Sequence, residues 1–304
     1  MAKPDTGPSG VLLLDKPAGV TSTRALARAK RLLGSRKAGH AGTLDPFATG
    51  LLPLAFGEAT RYTRFLLDAR KGYRATVHLG QSSTTGDPEG VISGQIQVHD
   101  SYERIGDVVA SFAGVIEQVP PMHSAVHHEG RRLYELAREG VEVARPSRTV
   151  EIFAIDLLRK DAEKIVIDVI CSKGTYIRVL AEDIGKKLGC GAYLTELRRT
   201  RAGPFEISDA LSFEALEKPG ISPVALLLPP EILVQGLPRV DLGAEATARL
   251  VQGQPVAVPE GAEGECALFD PAGRFLGVGV GRGGLLAPLR LGPVREPADA
   301  PDFA

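Results

Sequence analysis

The sequence contains no tryptophan, only three cysteines and no long apolar run. Cys171, Cys190 and Cys266 are odd in number, lie far apart and form no Cys-x-x-Cys pair, which argues against a disulfide framework. We therefore expect reduced core thiols and a cytoplasmic protein. No stretch approaches the roughly 18 apolar residues that a membrane span needs. The first residues also lack the charged and apolar pattern of a secretory signal, so no membrane partner is expected.

Signatures for cofactors and metals are missing as well. The chain has neither a Gly-x-Gly-x-x-Gly run nor a P-loop, so we expect no nucleotide cofactor. His123, His127 and His128 lie close in sequence, but no acidic ligand stands at a fixed offset from them. His40 likewise has no second ligand at helical or hairpin spacing. We predict no metal site and interpret these histidines as contacts to a partner.

The charge of the chain is unevenly distributed, although the net value is −1. Residues 1–80 contain thirteen Lys and Arg against five Asp and Glu, whereas residues 205–304 contain seven against fourteen. A basic first third suits a polyanionic partner, and a merely solvated surface is the alternative. The arginines that we consider for contacts with a phosphate backbone are Arg24, Arg28, Arg131, Arg132 and Arg198.

Hydrophobic periodicity predicts a mixed α and β chain of 304 residues, with enough apolar content (43%) for a packed core. Alternation predicts a strand over 73–79, and a helical pattern covers 177–188. Residues 120–148 form an arginine-bearing excursion that we interpret as a substrate-gripping arm. Prolines cluster at 220–239, where a boundary is expected. The predicted divisions are a tail (1–9), a large domain (10–229), a linker (230–238), a small β module (239–294) and a second tail (295–304).

Residues 36–50 form the stretch that best fits a catalytic site. The loop contains His40, one carboxylate (Asp45) and three glycines, and Pro46 biases Asp45 away from helical geometry. Such a loop can hold an imidazole and a carboxylate in fixed places. An Asp-Pro pair is also an ordinary turn element, so the loop alone leaves both interpretations open.

Five ordered runs stand out along the chain: GVLLLDKP at 10–17, GHAGTLDP at 39–46, KGYR at 71–74, CSKGTYIR at 171–178, and LGCGA at 188–192 continuing to LRR at 197–199. Together these runs resemble the TruB-type family of bacterial tRNA pseudouridine synthases. The resemblance implies an α+β catalytic domain with a mainly antiparallel central sheet flanked by helices. It also implies a small C-terminal β-barrel of the PUA type, and an isomerase that modifies uridine 55 in the T-arm loop of tRNA without a cofactor. A monomer with no obligate protein partner is expected.

The resemblance also implies roles for individual residues. Asp45 would be the catalytic aspartate, paired with Arg178, and His40 would contact nucleotides near the extruded base. The other substrate-binding residues would be Tyr73, which stacks on the target base, Tyr176 beside the ring, Leu197 on the pocket floor, and Asp87. Two positions depart from the family pattern: Thr84 stands where an aspartate is frequent, and His127 stands where a basic residue is usual.

The expected conversion of uridine to pseudouridine requires an ionised carboxylate and favours a cation beside it. One ionised carboxylate could attack uracil C6, attack ribose C1′, or assist a glycal path, and the sequence does not choose among them. An adjacent arginine opposes the rise in carboxylate pKa that burial causes. Two other interpretations stay open at this point: an RNA-binding protein that retains the scaffold without catalysis, and a synthase that acts on another RNA.

Overall fold

The computed structural model describes residues 7–98, 103–124, 127–128, 130–220, 222–257 and 263–292. Its strands are β1 (Gly10–Lys16), β2 (Ala38–His40), β3 (Thr49–Phe56), β4 (Lys71–Leu79), β5 (Ser82–Ser83), β6 (Ile92–Ser93), β7 (Gly114–Gln118), β8 (His127–His128), β9 (Arg131–Arg132), β10 (Arg148–Lys160), β11 (Lys164–Cys171), β12 (Ala192–Ala202), β13 (Phe205–Glu206), β14 (Arg239–Asp241), β15 (Val256–Ala257), β16 (Gly264–Phe269), β17 (Phe275–Arg282) and β18 (Leu285–Leu291). Its α-helices are α1 (Ser22–Leu32), α2 (Thr63–Leu67), α3 (Ile105–Ala110), α4 (Leu133–Arg138), α5 (Ile177–Leu188), α6 (Phe213–Leu216) and α7 (Ala244–Val251).

A nine-stranded sheet forms the centre of the large domain. Its main path runs β1-β3-β12-β4-β11-β10-β7, with β2 paired to β3 and β13 paired to β12. The pairing of β12 with β3 is parallel, whereas the other pairings described in this sheet are antiparallel. The predicted α+β class with a mainly antiparallel sheet is therefore confirmed.

The predicted alternation in β4 places its apolar side chains on the covered face of the sheet. Ala75, Val77 and Leu79 are fully buried, and they join Leu180 and Ile184 of α5 in the main core. Helix α5 ends as the sequence predicts, because Gly189 adopts the left-handed conformation (φ 80°) that closes the last turn. The N-terminus of α1 is capped by the Thr21 hydroxyl, which accepts from the Arg24 amide at 3.1 Å.

A second, smaller part of the fold contains strands β14 to β18 and helix α7. Its five-stranded sheet runs β14-β16-β17-β18-β15, which confirms the predicted small C-terminal β domain. Helix α7 belongs to the same module and was not predicted. Within the expected linker, Leu233 and Val234 are buried in one cluster with Leu66 of the large domain and Val278 of β17. The segment thus contributes to a shared core, and the domain bounds stay a prediction.

The predicted arm and tails are only partly described. The arm contains the short pair β8–β9 and helix α4, so it is not irregular throughout. Residues 1–6 of the first predicted tail and the whole of 295–304 lie outside the described residues. The side chains of His127 and Arg132 also lie outside them.

Candidate active site

The Asp45 loop connects β2 to β3, and hydrogen bonds fix it from the side of α1. The Ser22 hydroxyl donates to the Leu44 carbonyl at 3.0 Å and accepts from the Leu44 amide at 2.8 Å. The Gly19 amide donates to the Pro46 carbonyl at 2.8 Å. A loop with its backbone groups satisfied on both sides of Asp45 holds that carboxylate in one place.

Arg178 forms a two-point ion pair with Asp45. Its Nε lies 3.0 Å from Oδ2 and its Nη2 lies 3.3 Å from Oδ1. About a third of the Asp45 side chain is exposed, whereas the Arg178 side chain is only 5% exposed. The carboxylate therefore faces an opening while its cation is held inside the protein, a geometry in which a guanidinium fork is more specific than a point charge.

The two terminal nitrogens of Arg178 also bind two further segments. Nη1 donates to Asp87 Oδ2 at 3.2 Å and to the Thr85 carbonyl at 3.1 Å, and Nη2 donates to the His123 carbonyl at 2.8 Å. Together with the Asp45 contacts, these bonds use all three guanidinium nitrogens. One side chain near the start of α5 thus joins the Asp45 loop, the Asp87 turn and the beginning of the arm.

Opposing influences act on the Asp45 carboxyl. Burial raises its pKa above the ordinary value, and the charge of Asp87 acts in the same direction. The charge and hydrogen bonding of Arg178 lower the pKa, and Lys16 does so more weakly. The two cations therefore favour the ionised form that a nucleophile needs.

Asp87 is buried in a turn that satisfies both of its oxygens. Thr85 Oγ1 donates to its Oδ1 at 2.5 Å and the Glu89 amide donates to the same oxygen at 3.0 Å, while Oδ2 faces Arg178. The departure at Thr84 leaves this arrangement intact, because the Thr84 hydroxyl instead accepts from the Val91 amide at 3.0 Å.

The remaining predicted substrate residues surround the same loop. Tyr73 on β4 and Leu197 on β12 pack in the core cluster that contains Leu44 of the loop. Tyr176 directly precedes α5, and Gln118 fixes its backbone by accepting from its amide at 3.0 Å and donating to its carbonyl at 3.3 Å. His40 ends β2. Its Nδ1 is buried without a hydrogen-bond partner among the described residues.

The predicted phosphate-contacting arginines differ in their surroundings. Arg24 is exposed on α1. Arg28 makes a two-point contact with Glu217 (2.9 and 2.7 Å), and Arg198 does the same with Asp15 (3.1 and 2.7 Å). Arg131 pairs with Glu139. RNA contacts by these three would have to share or replace an internal ion pair.

Two buried cations beside the loop were not predicted as site residues. Lys16 is fully buried, and its Nζ donates to the carbonyls of Val20 (2.7 Å), Pro17 (2.9 Å) and Pro46 (3.3 Å). Burial lowers the Lys16 pKa to about 8. Arg199 is 1% exposed and lies under the other side of the loop. For Lys16 the sequence signal was a basic residue at the end of the largely apolar strand β1. Arg199 lies in β12 among other charged and polar residues, so its burial had no such signal.

Gly50 of β3 stands opposite Arg199 of β12, and we expect no side chain to be tolerated there. A Cβ at Gly50 would lie 2.4 Å from the backbone oxygen of Arg199, and φ is +102°. Gly50→Ala should therefore destabilise the protein by roughly 3 kcal/mol, which a urea titration would measure. In the control Gly106→Ala on α3, the new Cβ meets nothing within 4 Å, and stability should rise by up to about 1 kcal/mol. Equal effects of the two changes would contradict this account.

The described residues offer no group of three or more His, Cys, Asp and Glu side chains placed to hold a metal ion. None of the described helices is long and apolar enough to cross a membrane. All three cysteines are free and buried.

Comparisons with known proteins define the class. A protein-family model described as TruB family pseudouridylate synthase (N terminal domain) matches residues 30–177. Two further models, tRNA pseudouridylate synthase B C-terminal domain and Pseudouridine synthase II TruB, C-terminal, match 178–234 and 238–291. The chain is a pseudouridine synthase, an isomerase, as the sequence predicted.

Relatives and solved structures narrow this class. A protein named tRNA pseudouridine synthase B from Aromatoleum aromaticum is 51% identical over 284 residues, 93% of this chain and 92% of the relative. A protein of the same name from Thiobacillus denitrificans is 50% identical over 93% of this chain and 95% of that relative. Among solved structures, a chain of a Cbf5-Nop10-Gar1 complex is 31% identical, with a TM-score of 0.69 over 89% of this chain and 78% of that chain. The chain belongs to the TruB family, which confirms the predicted resemblance.

Proposed function

We propose that this protein converts uridine 55 in the T-arm loop of tRNA to pseudouridine, with Asp45 as the catalytic carboxylate. The observation that carries the proposal is the Asp45–Arg178–Asp87 contact, in which a partly exposed carboxylate is paired with a buried guanidinium. The name of the relatives supports tRNA as the substrate. The choice of uridine 55 rests on the resemblance of the motifs.

The chemistry is a rearrangement within one nucleotide. The bond between uracil N1 and ribose C1′ breaks, the base rotates, and a bond forms between C5 and C1′. The hydrogen on C5 leaves as a proton and N1 gains one, so no oxidant, reductant or group donor is consumed. Attack by Asp45 on C6, attack on C1′ and a glycal path all require the ionised carboxylate that Arg178 and Lys16 favour.

The target base must leave the stack of the loop to reach Asp45. Tyr73 would stack on the extruded uracil, Tyr176 would lie beside it, and Leu197 would form the floor. Burial and the charge of Arg199 lower the His40 pKa, so its ring is neutral at pH 7. A neutral imidazole at the end of β2 suits a contact with a nucleotide next to the target.

The basic first third of the chain would contact the RNA backbone. Arg24 is the candidate that is exposed on α1, and Arg131 and Arg132 would grip the RNA from the arm. The Cbf5 neighbour was solved in a complex with Nop10 and Gar1. For this chain we propose that a monomer acts alone in the cytoplasm.

A tritium-release assay tests the proposal. We expect a T-arm stem-loop labelled at uridine C5 to release the label from position 55 and to yield pseudouridine there. A stem-loop with cytidine at position 55 is the matched control and should release none. Binding without release would instead identify a non-catalytic RNA-binding protein, and a requirement for ribosomal RNA would identify a synthase with another substrate.

A further inference from the structure

Arg199 occupies a central position under the proposed site, although none of the reaction steps above uses it. It lies on β12, where its neighbours in register are Gly50 on β3 and Tyr73 on β4. It is one of the largest fully buried side chains described. Arg199 therefore stands between the strand that follows the Asp45 loop and the strand that carries the stacking tyrosine.

The guanidinium of Arg199 binds both ends of the Asp45 loop. Nη2 donates to the Gly42 carbonyl at 3.2 Å and Nη1 lies 3.5 Å from the Thr43 carbonyl, both before Asp45. Nε donates to the Leu51 carbonyl at 2.6 Å, after Asp45. Donors in a rigid fork fix the distance between these two backbone segments in a way that a lysine ammonium does not.

The same guanidinium acts on Tyr73. The two residues stand directly opposite each other in the antiparallel pairing of β12 with β4, so their side chains lie on the same face of the sheet. Burial raises the pKa of the Tyr73 phenol, and the charge of Arg199 opposes that rise. Arg199 thus binds the Asp45 loop and is a direct neighbour of Tyr73.

A purely structural role explains this choice of residue poorly. Arg199 adds a buried positive charge near Lys16 and Lys71, and it lowers the pKa of both. Its hydrogen-bond acceptors are backbone carbonyls, which satisfy the donors without neutralising the charge. Buried cations of this kind are costly and are often replaceable by apolar residues without loss of stability.

We propose that Arg199 is a positioning residue that sets the placement of the Asp45 loop relative to the Tyr73 phenol. It acts through these two groups and does not touch the substrate. The inference rests on the proposed function, because its readout is the rate of pseudouridine formation.

The test uses Arg199→Lys, which keeps the charge and loses the fork, and Arg199→Gln, which loses both. We expect the single-turnover rate to fall at least thirtyfold in each variant, whereas the Kd for the stem-loop stays within threefold. The matched control is Arg201→Lys on the same strand, whose arginine pairs with Glu206 on a half-exposed surface, and its rate should stay within twofold of the unmodified protein.

A double-variant cycle with Tyr73→Phe separates positioning from general stability. If Arg199 acts through Tyr73, then Arg199→Lys combined with Tyr73→Phe should be slower than the slower single variant by less than threefold. The Tyr73 ¹³Cζ resonance, assigned by its loss in Tyr73→Phe, should shift in both Arg199 variants and stay unchanged in Arg201→Lys.

Several results would overturn the inference. These are a normal rate in Arg199→Lys, multiplicative effects in the cycle, or failure of both Arg199 variants to fold, which would make the residue structural. If the unmodified protein itself forms no pseudouridine in the stem-loop, the proposed function fails instead. The two failures are therefore distinguishable.

Discussion

Asp45→Asn should reduce pseudouridine formation at least a thousandfold while RNA binding stays within a few-fold of the unmodified protein. An amide in the position of the carboxylate retains its shape and can still accept from Arg178, but it is neither a nucleophile nor an anion. A thousandfold loss corresponds to about 4 kcal/mol of activation free energy. Single-turnover tritium release and a filter-binding Kd on the same stem-loop measure the two effects separately.

The thermal stability of Asp45→Asn tests independently whether burial raises the pKa of Asp45. Because burial raises the Asp45 pKa, the folded state binds this proton more tightly than the unfolded state does. The stability that the protonated carboxyl contributes is fully present below the unfolded pKa of about 4 and is lost as the pH rises through the folded pKa. The difference in Tm between Asp45→Asn and the unmodified protein should therefore shift in favour of the variant as the pH rises from 4 to 7. Residual turnover within tenfold would refute the role of Asp45 as catalytic carboxylate.

Local patterns predicted those parts of the fold in which one strong signal dominates. Alternation along β4 and the helical pattern of α5 are of this kind, because each element buries one continuous apolar face. Strand β10 was not predicted, although it spans 13 residues. Only Val150 and Ile152 are buried in it, and its other half carries charged and exposed side chains. Such a strand is specified by its partners β11 and β7 more than by its own sequence.

The sequence predicted those residues of the candidate active site that lie in recognisable motifs. The runs around Asp45 and Arg178 named both members of the ion pair, although 133 positions separate them. Arg199 could not be distinguished from Arg198 in the same way. Register shifts interrupt the pairing of β12 with β4, so simple alternation does not indicate which arginine faces inward. Arg198 meets Asp15 at the surface, whereas Arg199 is buried.

Ion pairs between residues far apart in sequence explain why two of the arginines predicted to contact phosphate already have carboxylate partners. Arg28 and Arg198 were among the arginines considered for phosphate contacts. Their partners, Glu217 and Asp15, lie 189 and 183 positions away, and no local pattern connects such residues. Net charge along a segment therefore overstates the cationic groups that are available to RNA.

Arg178→Met should slow pseudouridine formation about a hundredfold or more at pH 7 and move the acidic limb of the pH–rate profile to higher pH. Arg178 is the largest influence that lowers the Asp45 pKa. Without it, burial and the Asp87 charge both raise that pKa, so less of the carboxylate is ionised at pH 7. The rate should recover in part as the pH is raised. Single-turnover rates between pH 5 and pH 9 measure the shift.

A second substitution separates this electrostatic effect from a collapse of the site. In Arg178→Met, Asp87 is left buried beside Asp45 without its cation, and a loss of stability of roughly 3 to 5 kcal/mol is expected. Adding Asp87→Asn removes that charge, so the double variant should regain stability and its acidic limb should move back toward lower pH. Arg178→Lys, which keeps a cation but loses the fork, should have an intermediate rate and little shift of the limb. If the limb stays in place in Arg178→Met while the rate falls, Arg178 acts by holding the Asp87 turn and the arm together, and its effect on Asp45 ionisation is not the cause.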